Sequence, residues 1–106
     1  MGDRALIIIK DNAEYSPAIY LHQHGGYAAN YIEELAAIMK DRGSDVHYAT
    51  ARLAGICHTR IEGNTGLGIF AIDEEAVREN PSSASYGDRG VFIVDADNEY
   101  TYKQYA

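Results

Sequence analysis

Residues 16–43 read SPAIYLHQHGGYAANYIEELAAIMKDRG, and the spacing of the apolar side chains changes in the middle of this stretch. Before the glycine pair the apolar residues alternate with others, which predicts a strand over Pro17–His24. After the pair they recur every three or four residues, which predicts an amphipathic helix over Tyr27–Asp41. Gly43 stands where a left-handed cap would end that helix. The stretch therefore predicts a strand followed directly by a helix that buries one face.

The rest of the chain extends this unit into an α+β domain. Arg4–Lys10 is apolar on both faces, which indicates a central strand. A second helix is predicted over Val46–Thr59, with Ser44 or Asp45 as its N-cap. Further strands are predicted at Leu67–Ile72, Gly90–Asp95 and Glu99–Lys103, and a short acidic helical turn at Asp73–Glu79.

These elements predict one architecture. The order ββααβββ favours a five-stranded, mainly antiparallel sheet with two helices packed on one face. At 106 residues the chain has room for a single domain, residues 1–106. Glu62–Gly66 is a predicted turn, Gly68 suggests a bulge or a close backbone approach, and Asn80–Arg89 is the longest irregular stretch.

Acidic residues are concentrated in the second half of the chain. The net charge is −7, and residues 62–99 carry nine acids against Arg78 and Arg89. Such a surface repels nucleic acid and attracts basic partners, although surface acids also serve solubility. We therefore expect no direct nucleic-acid binding and consider a basic protein surface as the partner.

Tyrosine is abundant, with nine tyrosines and no tryptophan. Tyr20, Tyr100 and Tyr102 fall on predicted strands at spacings that would place them on an open face, while the alternative is that the rings edge the core. Acids of the second half of the chain and three of the tyrosines make up a predicted protein-binding set. That set is Asp73, Glu74, Glu75, Glu79, Tyr86, Asp88, Tyr100 and Tyr102.

Two further patterns offer an alternative site. His22 and His24 alternate on the predicted strand and would share one side, as two ligands of a metal would. Gly25 and Gly26 precede a helix, where bare backbone N–H groups bind anions. Both patterns are incomplete. The histidines have no third metal ligand at a recognisable spacing, and no Lys-Ser or Lys-Thr pair follows the glycines as it does in a phosphate-binding loop. We expect no catalytic residues and no cofactor, and leave these two patterns as the rival.

Cys57 is the single cysteine, so no internal disulfide can form and an oxidising compartment is not required. It adjoins the buried stripe of the second helix and is predicted to be a core residue rather than a nucleophile. The N-terminal apolar run is too short for a signal peptide, and no run approaches the roughly 20 residues of a membrane span. The expected location is the cytoplasm.

Four runs carry a resemblance to known proteins: SPAIYLHQHGG (16–26), YATAR (48–52), GNTGLG (63–68) and GDRGV (87–91). Together they resemble short, uncharacterised acidic proteins of bacteriophages and mobile elements, in which a tyrosine-leucine-histidine stretch ends in a glycine pair before a helix. The resemblance brings no catalytic residues with it. It implies a bacterial host cell as the setting and an inhibitor of host machinery, in the manner of anti-CRISPR proteins, as the role.

The leading hypothesis is accordingly a non-catalytic phage or mobile-element protein that binds and inhibits a host protein with a basic surface, such as a CRISPR or other defence component. The first alternative is a small metal- or ligand-binding enzyme centred on His22, His24 and Gly25–Gly26. The second is a structural homodimer joined through a strand edge or the tyrosine face.

Overall fold

The computed structural model describes residues 2–63 and 66–106. Its strands and helices follow one another as β1 (Ala5–Lys10), β2 (Ala18–Leu21), α1 (Ala28–Met39), α2 (Val46–Arg60), β3 (Leu67–Phe70), α3 (Glu74–Glu79), β4 (Gly90–Asp95) and β5 (Thr101–Tyr105). The predicted α+β class with five strands in one sheet is confirmed. In the predicted turn Glu62–Gly66, Asn64 and Thr65 lie outside the described residues.

The sheet has the strand order β3-β2-β1-β4-β5. The pairs β1–β2, β2–β3 and β4–β5 are antiparallel, whereas β1 and β4 at the centre are parallel. The prediction of a mainly antiparallel sheet is therefore wrong, because the sheet is mixed. β1 with β2 and β4 with β5 each form a hairpin, and the region between them brings the chain back to the end of the sheet where β1 begins.

β1 is the central strand, as predicted, and is buried on both faces. Ile7 and Ile9 belong to the core beneath α1 and α2, while Leu6 and Ile8 belong to the smaller core on the opposite face. Neighbouring side chains of a strand point to opposite faces, so a continuous apolar run serves two cores at once.

The two long helices pack against one face of the sheet. α1 contributes Tyr31, Ile32 and Leu35 to the larger core. It ends at Met39, two residues before the predicted end, and Gly43 has the left-handed φ of +81° that the cap required. The Asp45 carboxylate accepts the N–H of Tyr48 at 3.0 Å, so Asp45 is the N-cap of α2.

The third helix covers part of the opposite face. Asp73 caps α3 by accepting the N–H of Ala76 at 3.2 Å, and Val77 is fully buried with Leu6 and Ile8. The placement of both long helices on one face therefore holds, with a short acidic helix on the other. Because α3 has only six residues, rings on β2 and β3 remain partly exposed beside it.

Two strand boundaries differ from those predicted in ways that affect the candidate residues. β2 ends at Leu21, so His22 and His24 lie beyond the strand. β5 begins at Thr101 because Glu99 and Tyr100 are left-handed, with φ of +54° and +60°. Within the described residues, no helix has the length and apolar character needed to cross a membrane.

Candidate protein-binding surface

Four carboxylates of the predicted binding set lie together on α3 and its cap. Asp73, Glu74, Glu75 and Glu79 are all exposed. The helix also carries Arg78, which donates to Glu74 at 2.7 Å and offsets one of the charges. Within the part of the chain that the structure describes, Glu75 and Glu79 form no ion pair. Their charges are therefore free to meet a basic partner.

Three aromatic rings lie on the same face of the sheet as α3. Tyr20 on β2 stacks on Phe70 of β3 with 5.1 Å between ring centroids, and Tyr86 meets Tyr20 edge-on at 5.5 Å. The register places Gly68 opposite Tyr20 and Ala18 opposite Phe70, so the missing side chain of Gly68 leaves room for the stacked rings. No bulge occurs at Gly68, in contrast to the first of its two predicted roles. Phe70 is 38% exposed and Tyr86 is 49% exposed.

A groove joins the rings to the acidic helix. It has a volume of about 410 Å³, and its lining includes Phe70 and Tyr86 together with Asp73 and Val77. We call the rings of Tyr20, Phe70 and Tyr86, together with the carboxylates of Asp73, Glu74, Glu75 and Glu79, the β3–α3 surface. Large rings beside charged side chains are typical of the anchor and the rim of a protein interface.

The other members of the predicted binding set lie elsewhere. The expectation that Tyr100 is exposed is wrong: it is 4% exposed, its hydroxyl donates to the Gly43 carbonyl at 2.8 Å, and the N–H of Asp45 donates to it at 3.0 Å. Burial raises the pKa of this phenol. Tyr100 therefore fastens the end of the sheet to the turn between α1 and α2. Its left-handed backbone, which turns it inward, has no clear pattern in the sequence.

Tyr102 and Asp88 are at the surface but outside the β3–α3 surface. Tyr102 contacts Phe92 at 5.5 Å between centroids, on the face of the sheet that α1 and α2 cover. The Asp88 carboxylate accepts two hydrogen bonds of 2.9 Å from Arg4, one from its Nε–H and one from its backbone N–H. These hydrogen bonds lower the pKa of the Asp88 carboxyl. Tyr20, Tyr100 and Tyr102 thus do not share a face.

The glycine pair donates its N–H groups to Asp3. The Gly26 N–H donates to the Asp3 carboxylate at 2.9 Å, and the Gly25 N–H donates to the Asp3 carbonyl at 2.7 Å. Arg89 donates to the same carboxylate at 2.7 Å and lowers its pKa. A Cβ on Gly25 would collide with the Asp3 carbonyl oxygen, so the glycine allows this close approach. The Asp3 carboxylate therefore occupies the position in which the alternative site would bind an anion.

The two histidines have separate tyrosine neighbours. Nδ1 of His22 lies 2.6 Å from the Tyr20 hydroxyl, and Nδ1 of His24 lies 3.5 Å from the Tyr31 hydroxyl. Because β2 ends at Leu21, the alternation that would have placed both rings on one side of a strand does not apply. Among the described residues, no group of three or more His, Cys, Asp or Glu side chains is placed to hold a metal ion.

Cys57 is fully buried in the larger core. Burial raises the pKa of its thiol to about 12, so the group stays protonated near neutral pH. A thiol in this state is a poor nucleophile. The prediction that Cys57 is a core residue is confirmed.

Phe70 and its neighbour Ile69 were not among the predicted site residues. Their run, Leu67–Phe70, has the composition of a buried strand, because it contains no charge. The structure shows that β3 is an edge strand, and Ile69 is 57% exposed there. The order of strands in the sheet, which the sequence does not reveal, converts this run from core to surface.

No protein-family model, curated protein or solved structure matches this chain.

Proposed function

We propose that this chain is a non-catalytic binding protein that engages a basic surface of another protein through its β3–α3 surface. The observation that carries the proposal is the groove that places the partly exposed rings of Phe70 and Tyr86 beside α3, the helix on which the exposed carboxylates of Glu75 and Glu79 form no ion pair among the described residues. The sequence suggested the acids and Tyr86, and the fold adds Phe70 and Tyr20 beside them.

The two components have different roles in binding. Aromatic side chains that lie in or beside a groove bury a large area with few rotatable bonds, so they supply most of the affinity. The carboxylates around them steer a basic partner and orient it, which affects the association rate and its dependence on salt. Lys and Arg of a partner would also meet the faces of the exposed rings.

The class of partner follows from the resemblance to phage and mobile-element proteins. It directs the search to the cytoplasm of a bacterial host and to proteins whose basic surfaces normally hold nucleic acid, CRISPR effectors among them. Inhibition would follow from occupying such a surface.

The test is a pull-down from host lysate with two charge-reversed variants. Glu75→Lys with Glu79→Lys changes the β3–α3 surface, and Glu33→Lys with Asp41→Lys changes two exposed acids at the other side of the molecule. Both variants alter the net charge by the same amount, from −7 to −3. A third variant, Glu75→Gln with Glu79→Gln, removes the charges without reversing them.

We expect wild type and the Glu33/Asp41 variant to retain a common, stoichiometric partner that the Glu75/Glu79 variants lose, with association slowed about tenfold or more at low salt. Equal recovery of the same partner by all variants, each folded by circular dichroism, would show that binding does not use this surface.

The rival ligand-binding role at His22, His24 and the glycine pair has no comparable geometry in its favour. Asp3 already satisfies both glycine N–H groups, and the histidines contact separate tyrosines. Metal analysis of untagged protein tests the rival directly, since a full equivalent of bound metal would restore it.

A further inference from the structure

The outer edge of β3 presents a defined set of backbone groups. The N–H of His22 donates to the carbonyl of Gly66 at 2.9 Å, and the register of β2 and β3 pairs Tyr20 with Gly68 and Ala18 with Phe70. Hydrogen-bonded and non-hydrogen-bonded pairs alternate along an antiparallel ladder. Gly68 and Phe70 therefore point their N–H and C=O groups at β2, and Leu67 and Ile69 point theirs away from the sheet.

Among the described residues, β3 has none of the charge, proline or bulge that commonly protects a terminal strand. Natural edges are blocked by lysine, proline, a bulge or a covering loop. β3 contains no charge and no proline, its register with β2 is regular, and Ile69 is 57% exposed. The side chains alternate, with Gly68 and Phe70 on the α3 face and Leu67 and Ile69 on the face of α1 and α2.

We propose that a basic extended segment of the partner protein adds to the sheet as a sixth strand beside β3, bonded to the outward groups of Leu67 and Ile69. This inference rests on the proposed function and specifies its binding mode. Strand addition obtains its affinity from main-chain hydrogen bonds and its specificity from alternate side chains.

The two faces of β3 define the side-chain pattern of the added strand. Its residues on the α3 face lie beside the rings of Phe70 and Tyr86 and near Asp73, which follows Phe70 by three residues and so lies within about 10 Å of chain. Lys or Arg fits there, by charge and by contact with the ring faces. Residues on the other face meet Ile69 and Leu67, so they are apolar. The expected segment alternates basic and apolar residues.

Charge favours such a segment over a second copy of this chain. Pairing β3 with its own copy would bring together two molecules that each carry a net charge of −7. A basic strand instead meets a molecule of opposite charge.

A proline substitution tests the backbone contact. Ile69→Pro removes an N–H that points away from the sheet and leaves the ladder with β2 intact, as edge strands tolerate. Gly68→Pro, one residue away, removes an N–H that bonds to Tyr20. We expect Ile69→Pro to retain the wild-type melting temperature and Gly68→Pro to lower it. This result would verify that the Gly68 N–H points toward β2 and the Ile69 N–H points away from the sheet.

The binding test uses a displayed library of random twelve-residue peptides, selected against wild type. We expect enrichment of peptides that alternate Lys or Arg with apolar residues. Their affinity should fall about tenfold or more for Ile69→Pro, and similarly when alternate backbone amides of the peptide are N-methylated.

Each other outcome overturns strand addition. Enriched peptides that need Glu75 and Glu79 but bind Ile69→Pro as well as wild type would leave the proposed function standing and remove the strand. Failure to enrich any basic peptide dependent on Glu75 and Glu79 would count against both. A wild-type dimer in light scattering that Ile69→Pro converts to a monomer would make the occupant a second copy.

Discussion

The two edge strands of the sheet, β3 and β5, differ in charge and in what lies beside them. β5 carries Lys103 at its centre, and its Gln104 side chain donates to the Arg89 carbonyl at 2.9 Å. β3 carries no charge, exposes Ile69 and lies next to the rings and acids of the β3–α3 surface. Both strands pair antiparallel with their inner neighbour, so the difference lies in the side chains and not in the topology.

These differences indicate that β5 ends the sheet, whereas β3 can pair with a further strand. A lysine on an edge discourages pairing with another chain, whereas exposed apolar side chains on an edge invite it. The edge that lacks charge and proline lies beside the rings and acids of the β3–α3 surface.

The largest change in stability is expected at the contact between the start of β4 and the end of β5. Gly90, at the start of β4, has a φ of +74°, and a Cβ there would collide with the Tyr105 carbonyl oxygen of β5. Gly90→Ala should lower the free energy of unfolding by about 3 kcal/mol, combining backbone strain with displacement of β5. Urea denaturation measures it.

Gly55→Ala is the matched control for that substitution, because a Cβ at this α2 position meets open space. It should stabilise the protein by about 0.5 to 1 kcal/mol. Equal effects of the two alanines would show that β5 is not held in the way described.

The next largest effect is a difference in partner binding between ring truncations on the two edge strands. Phe70 on β3 and Tyr102 on β5 are 38% and 37% exposed, so truncating either to alanine should cost a similar stability of about 1 to 2 kcal/mol. Partner binding should weaken at least tenfold for Phe70→Ala and stay unchanged for Tyr102→Ala. The affinities are measured by calorimetry, and a loss of binding confined to Tyr102→Ala would reverse the assignment of the edges.

Placing a lysine on β3 and an isoleucine on β5 should exchange the tendency of the two edges to pair with another strand. Ile69→Lys should change the stability by no more than about 0.5 kcal/mol, because the side chain is largely exposed, and should abolish strand addition. Lys103→Ile should make β5 prone to self-association that rises with concentration, as light scattering would detect. A Lys103→Ile variant that stays monomeric at millimolar concentration would show that Lys103 does not protect the edge.

The smallest effect concerns the ion pairs beside β4. The pKa values of Asp3 and Asp88 are lowered by Arg89 and Arg4, from an ordinary value of 3.8. Their contribution to stability is therefore fully present above about pH 4 and is lost as the pH falls through the lowered values. Asp3→Asn and Asp88→Asn should flatten the acid limb of the stability curve without changing partner binding. An unchanged acid limb in the double variant would show that these pairs do not contribute.

Local features of the fold were predictable from the sequence. The change of period around Gly25–Gly26, the cap at Gly43 and the N-caps Asp45 and Asp73 depend on nearby residues, and the structure contains all of them. The parallel pairing of β1 with β4 was not predictable, because it joins segments separated by three helices and two other strands.

The candidate site was predictable only in part, for the same reason. The acids of α3 and Tyr86 are exposed by local structure, so composition alone pointed to them. Phe70 and Ile69 become surface residues through the edge position of β3, which depends on the order of the whole sheet. Tyr100 is buried through two left-handed residues that follow a short turn, and no local rule predicts that conformation for tyrosine.

The most direct measurement is amide hydrogen exchange of the chain with and without its bound partner. We expect the partner to slow exchange at Leu67 and Ile69, whose N–H groups point outward, and to leave exchange in β5 unchanged. Protection of Thr101–Tyr105 with none at Leu67 and Ile69 would contradict the assignment of β3 as the edge that binds.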